Sequence, residues 1–311
     1  MMWKQDIETS VKLYNDWFME FAPKTFRKSR KDSIDSVKNV LEITQNLSQI
    51  NPEIIRNNPS ALQVLRMCTA PPIARDRLIG LSGVQKSLVQ TLESGNLPVQ
   101  MSAGKLKLQL ERISSVITEL LDVDLFSLEN ESNDAGQSIS KHSVDIAASI
   151  IGDRVSGATS DPKIRNAQEE FQLNKIKMYL EKKGYVEKTP QGSFPNSMES
   201  GTFCFRFNLK VGREEEIKLP IDAVIKPKSS SPESMPVLIE AKSAGDYTNT
   251  NKRRKEEATK NRQLKEKFGN ETQLILFLRG YFDAGYLGYE AAEGLDWIWE
   301  HRIEDLDKLR I

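Results

Sequence analysis

Between residues 202 and 242 the chain carries three apolar runs that alternate with a period of two. They are "TFCFRFNLKV" (202–211), "IKLPIDAVIK" (217–226) and "PVLIEAK" (236–242), and only short polar stretches connect them. Period-two alternation marks strands, and connections this short suit antiparallel neighbours. A fourth run, "TQLILFLRGYF" (272–282), comes after a basic helical stretch at 252–268 that stops at Gly269. A helix between two strands permits a parallel pair. The pattern therefore predicts a mixed sheet, an antiparallel meander with a parallel addition. A helix at 163–183, ended by Gly184, leads into it, and a terminal helix, "DWIWEHRIEDLDKL", follows; glycine is the usual residue just past a helix end.

Upstream the period changes to that of helices. Residues 5–28 place Ile7, Val11, Tyr14, Phe18 and Phe21 at spacings of 4, 3, 4 and 3, and residues 33–48 repeat the stripe with Ile34, Val37, Leu41 and Leu47. Further helices are expected in "NPSALQVLRM", from the Pro71-Pro72 break to about Leu92, and over 104–122. The polar stretches "SLENESNDAGQSISK" and "SGATSDP" flank a short helix near 143–155 and mark a boundary. The expected organisation is a helical domain, 1–140, followed by a mixed α/β domain, 141–311. No apolar run approaches the roughly 18 residues that span a bilayer. The opening "MMWKQDIETS" has no apolar core of a secretory signal. Cys68 and Cys204 are the only cysteines and read as reduced, buried thiols, so a cytoplasmic protein is expected. His142 and His301 are the only histidines, which argues against a histidine-rich metal site, and both read as structural.

The net charge is zero, 44 basic against 44 acidic residues, yet it is unevenly spread. Asn251–Lys267 holds eight Lys/Arg against three Glu, Lys24–Lys38 holds six against two Asp, and Glu290–Asp307 holds seven acids against Arg302 alone. Concentrated basic segments permit nucleic-acid binding, and they serve equally as solvated helix faces.

The strands carry a constellation of charges. Alternation assigns Ile217, Leu219, Ile221, Ala223 and Ile225 to one face of their run and Asp222 to the other. In the next run Val237, Ile239 and Ala241 share a face, leaving Leu238, Glu240 and Lys242 opposite. Pairing the two runs over their apolar faces gathers Asp222, Glu240 and Lys242 on one side. Neighbouring carboxylates raise each other's pKa unless a cation lies between them. Mg²⁺, with Mn²⁺ as its substitute, suits such oxygen ligands. A nearby lysine orients or deprotonates a water and stabilises charge on phosphate, which completes a minimal set for phosphodiester hydrolysis. Glu169 lies in the middle of the helical face made by Leu173, Ile176 and Leu180. It is either an acid favoured by the helix dipole or a further ligand. The spacing alone is weak, and a charged sheet edge is the competing reading.

With Pro220-Ile221-Asp222 and Glu240-Ala241-Lys242 in place, the second half resembles the PD-(D/E)XK nuclease superfamily, with one residue splitting the Pro–Asp pair. The whole chain resembles the XamI group of type II restriction endonucleases through "YNDWFMEFAPKTFR", "TAPPIARDRLIGL", "IEAKSAGDYTNTNKRRKEEATK" and "GYFDAGYLGYEAAEGLDWIWEHRIEDL". This resemblance implies an αβββαβ restriction-endonuclease-like core, its mixed sheet flanked by helices, behind a helical domain for DNA recognition, dimerisation or both. It implies Asp222 and Glu240 as Mg²⁺ ligands, the backbone carbonyl of Ala241 as a third, Lys242 as the catalytic lysine, and Glu169 as the helix glutamate that many members add. The implied reaction cuts both strands of double-stranded DNA at a short palindromic site, leaving 5′-phosphates. Symmetric cutting implies a homodimer, with a DNA methyltransferase as genetic partner and no membrane. Lys252, Arg253, Arg254 and Lys260 become candidates for the DNA backbone, and Arg75, Asp76 and Arg77 for base edges, although a solvated helix and an intrahelical charge network explain them too. Two other readings stay open: a repair or recombination nuclease of the same fold without sequence preference, and a DNA-binding module without catalysis.

Overall fold

The computed structural model describes residues 2–126, 139–191, 194–212, 217–247 and 250–311, with the side chains of residues 2, 3 and 250–253 left aside. It forms two compact units, Pro23–Lys163, and Met1–Ala22 together with Ile164–Ile311. These bounds are not the expected 1–140 and 141–311, because the sheet-bearing unit also takes in the first 22 residues.

The helical unit contains the later part of α1 (Met2–Ile43), then α2 (Pro52–Asn57), α3 (Ala61–Met67), α4 (Arg75–Ser82), α5 (Lys86–Glu93) and α6 (Ala103–Glu119), and the first part of α7 (Lys141–Lys182). Leu41, Leu62, Leu65, Leu88, Leu92, Ile113, Ile117 and Ile151 meet in its core. The two helices expected at 5–28 and 33–48 are the single α1, which runs through Pro23. The one expected to reach Leu92 divides instead into α4 and α5. "SGATSDP", expected as a loop, lies inside α7. Ser156 and Ser160 are buried there, and their hydroxyls donate to the carbonyls of Asp153 and Ser156. Burial of this turn overrides the local preference of Gly157 and Pro162 against helix.

The other unit is built on a six-stranded sheet in sequence order: β1 (Val186–Glu187), β2 (Thr202–Val211), β3 (Ile217–Lys226), β4 (Val237–Ala244), β5 (Leu274–Gly280) and β6 (Asp296–Trp299). β2, β3 and β4 form the antiparallel meander, and β5 adds to β4 in parallel after α8 (Thr250–Phe268). The expected αβββαβ core is therefore present. α7 ends as expected, with Gly184 in the left-handed region at φ 76°. Three additions were not foreseen. β1 pairs with β2, α9 (Ala284–Ala292) follows β5, and "DWIW" is not the start of a helix but strand β6, parallel to β5. A 3-10 helix, Glu300–Leu309, takes up the rest of that segment. Tryptophan and isoleucine suit a half-buried strand better than a helix start.

Alternate strand residues feed two cores. Leu238, Leu274, Leu276 and Leu278 pack with Leu264 of α8 and Tyr286 and Leu287 of α9. Val237, Ile239, Ile275 and Phe277 pack with Leu173, Ile176 and Leu180 of α7 and with Ile303 and Leu306. The sheet thus lies between α8 and α9 on one face and α7 and the 3-10 helix on the other. The early turns of α1 brace the end of β5. The Gly280 N–H donates to Ser10 Oγ at 2.8 Å, Arg279 Nη2 to the Leu13 carbonyl at 3.0 Å, and Asn15 Nδ2 to the Tyr281 hydroxyl at 2.9 Å. Asp6 receives Arg302 at 2.9 Å and lies 3.1 Å from His301 Nε2, so His301 has the structural role expected of it. Among the described residues no helix is long and apolar enough to cross a membrane. Cys68 and Cys204 are free and buried, and burial pushes their thiols up to about 12 and about 11.

Candidate active site

The site begins where the β2–β3 ladder misses a step. Partners run from Thr202↔Lys226 to Phe205↔Ala223 and resume at Phe207↔Ile221, so Arg206 and Asp222 are skipped. Arg206 sits at φ 50°, a left-handed conformation uncommon for a side chain other than glycine. The skip reverses the faces of both strands. Phe203, Phe205, Ala223 and Ile225 belong to the core under α7, whereas Phe207, Leu209, Val211, Leu219 and Ile221 join the core under α8. The sequence-based assignment of Ile217, Leu219, Ile221, Ala223 and Ile225 to one face is corrected accordingly. Strict alternation holds only while every residue takes part in the ladder.

β3 and β4 part at the same point. Their pairs are Ile225↔Val237, Val224↔Leu238 and Ala223↔Ile239, with none beyond. The next N–H of β4 that would look for a partner, that of Ala241, donates instead to Asp222 Oδ2 at 2.8 Å. A side-chain carboxylate thus replaces the missing backbone acceptor, which draws Asp222 to Glu240-Ala241-Lys242.

On this opened edge Glu240 is 8% exposed and both its oxygens meet ammonium groups. Lys242 Nζ lies 3.1 Å from Oε1, and Lys260 of α8 bonds Oε2. Lys242 Nζ also lies 3.5 Å from Oε1 of Glu257, another α8 residue. Burial, then the neighbouring Glu240, pushes the Asp222 carboxyl up to about 6, against the lowering effects of the Ala241 N–H and the two lysines. For Lys242, burial favours loss of the proton, but Glu240 and Glu257 outweigh it and hold the ammonium above its ordinary range. Asp222, Glu240 and Glu257 face Lys242 and Lys260, which leaves one negative charge uncompensated. A divalent cation fits that surplus and the oxygen donors of Asp222 and Glu240. No ready-made cluster of three His, Cys, Asp or Glu ligands occurs among the described residues.

The remaining candidates are placed as follows. Glu169 is paired with Arg206 Nε at 3.1 Å, and α7 packs on the face opposite the core beneath Leu238. From α7 it is the neighbouring glutamines that reach β4. Gln168 Oε1 accepts from Ser243 Oγ at 3.2 Å, and Gln172 Nε2 donates to the carbonyls of Lys242 and Phe277 at 3.3 and 3.0 Å. Lys260, expected on the DNA backbone, is inside the site. Arg254 lies over the Tyr289 ring at 5.3 Å, and the side chains of Lys252 and Arg253 lie outside the described residues. In the helical unit Arg75 is held by Glu93 of α5 at 2.6 Å, a partner beyond its own helix, while Asp76 and Arg77 are exposed.

Sequence reasoning missed Glu257, Tyr286, Glu290, Gln168 and Gln172. Tyr286 Oη donates to Glu257 Oε2 at 2.5 Å, and Glu290 is fully buried, its carboxyl pushed up to about 8 by burial and by Glu257. The only available signal was Glu257 beside Ala258, opposite the exposed basic residues of α8.

Comparison with known proteins matches the model of the XamI restriction endonuclease family over residues 45–299. The chain is 50% identical over 306 residues to the type II restriction enzyme SalI of Streptomyces albus G, covering 98% of this chain and 96% of that one. No solved structure matches.

Proposed function

Because the chain belongs to the XamI restriction endonuclease family, we propose that it cuts double-stranded DNA at a short palindromic site by Mg²⁺-assisted hydrolysis centred on Asp222, Glu240 and Lys242. Site-specific endonuclease function follows from the family. The observation that carries the chemistry is the convergence of these three side chains where β3 and β4 separate.

Asp222 and Glu240 would hold Mg²⁺, or Mn²⁺ in its stead, with the Ala241 carbonyl as third ligand. Bound there, the ion supplies Lewis-acid stabilisation of charge on the phosphate oxygens. Lys242, kept as an ammonium by its two glutamates, orients the attacking water and stabilises negative charge growing on the phosphate. The same charge makes it a poor proton acceptor, so positioning is its main task. Lys260, on Glu240 Oε2, has the scissile phosphate as its alternative partner. Glu169, if released from Arg206, would be a further oxygen donor for the ion. Arg254, with Lys252 and Arg253, binds the phosphate backbone, which positions the duplex without reading it.

Symmetric cutting of a palindrome calls for two copies of the site, hence a homodimer. The helical unit, with Arg75, Asp76 and Arg77, supplies base recognition, the dimer contact or both. A cytoplasmic location accords with the two free thiols, and a methyltransferase protecting the same site is the expected genetic partner. The test is to digest plasmid DNA with Mg²⁺ and with chelator, then sequence the ends. Discrete 5′-phosphate ends within one palindrome, formed only with the metal, support the proposal. A smear indicates a nuclease without sequence preference, and binding without cutting indicates a non-catalytic module.

A further inference from the structure

We propose that Glu257 is the positioning residue that holds the Lys242 ammonium in its working place, and that Tyr286 holds Glu257 there. The proposal rests on Lys242 as the catalytic lysine.

Lys242 has two carboxylate neighbours, Glu240 at 3.1 Å and Glu257 at 3.5 Å. Glu240 also meets Lys260 and belongs to the proposed metal pair, so its hold on Lys242 is shared. Glu257 stands apart from that pair. It comes from α8, is 2% exposed, and turns Oε1 to Lys242 while Oε2 receives the Tyr286 hydroxyl at 2.5 Å. Behind it lies Glu290, one turn beyond Tyr286 on α9 and fully buried. Burial, then the nearby Glu257, pushes its carboxyl up to about 8, which favours the neutral form beside the Glu257 carboxylate. Three elements, β4, α8 and α9, thus contribute to one buried chain of polar groups beside an apolar core of Phe282, Tyr286 and Leu287.

Two acids in such a place oppose stability unless they are compensated, and apolar residues would pack there without that penalty. Departures from simple core packing of this kind are expected where function requires them. A lysine stem has four rotatable carbons, and its ammonium positions a water only if something fixed holds it. Glu257, itself fixed by Tyr286, meets that need.

The test uses the full-length Glu257→Gln protein, which keeps the shape and removes the charge. Single-turnover cleavage with Mg²⁺ is expected to fall about 10- to 100-fold, the usual range for loss of an outer partner. Duplex binding in Ca²⁺ and KM should stay within about twofold, since the buried Glu257 carboxylate faces Lys242 and Tyr286 and not the surface that would meet DNA. Glu257→Asp should recover part of the rate. A wild-type rate for a folded Glu257→Gln protein overturns the proposal, as does a loss confined to DNA binding. If Glu257→Gln fails to fold, Tyr286→Phe decides. A slower rate at unchanged binding supports the proposal, and an unchanged rate overturns it. Lys242→Ala, run alongside, separates the two readings. If it is inactive while Glu257→Gln is fully active, only the role of Glu257 is wrong, whereas undiminished cutting by Lys242→Ala removes the premise.

Discussion

Asp222 does two things at once. Its carboxylate replaces a backbone acceptor for the Ala241 N–H, and it stands next to Glu240 with its proton held up to about 6. Asp222→Ala and Lys242→Ala are each expected to abolish cleavage, a loss of about 10³-fold or more as for other essential groups, while duplex binding measured in Ca²⁺ survives. Glu240 and Lys242 share a side as their two-residue spacing requires, whereas Asp222 meets them through the skipped ladder step and not through the alternation expected of its run. Glu257, Tyr286 and Glu290 were not legible, because they meet only after α8 and α9 fold over the sheet, and α8 reads from its sequence as a basic surface helix. Glu290 gives a separate prediction about pH. Its folded value of about 8 lies above an ordinary 4.5, so the folded chain holds that proton more tightly than the unfolded one. Its contribution to stability is full below the ordinary value and is lost as pH rises through about 8. Melting temperatures taken across that window should fall less steeply for Glu290→Gln than for the parent protein.

At the scale of elements, the skipped step between β2 and β3 shapes the site. It turns the hairpin so that its outer half joins the core under α8, and it places Asp222 at the point of reversal. Nothing in "TFCFRFNLKV" announces a left-handed arginine, so the order of strands was readable while the reversal of faces was not. Arg206→Val should destabilise the unit by about 1–3 kcal/mol, because a β-branched residue resists that conformation; a denaturant titration measures this. A second close fit lies at the end of β5. Gly280 has φ 100°, and a Cβ there would come within 2.1 Å of the Ala244 carbonyl oxygen. Gly280→Ala should cost about 2 kcal/mol or more, read by the same titration.

For the whole molecule, zero net charge hides a segregation of sign that the sequence displays plainly: basic α8 against an acidic stretch from Glu290 to Asp307. Binding to DNA should therefore weaken steeply with salt, and Arg254→Ala should reduce the slope of log K against log salt by about 1. A plot of duplex affinity at several salt concentrations tests it. The units were harder to read than the charge. Composition shifts near residue 140, but the chain's grouping follows contacts that span almost its entire length. Asp6, Ser10, Leu13 and Asn15 are tied to residues 279–302. Those ties bear on how the protein is made. At about 5–20 residues per second a ribosome needs on the order of 15 to 60 s to travel from Asp6 to Arg302. Throughout that time the opening turns of α1 have no sheet to brace. The helical unit has all its residues after Lys163, so it can assemble while translation continues. The sheet-bearing unit cannot close until Arg302 has been made, so the first turns of α1 wait through most of synthesis for the partners that fix them.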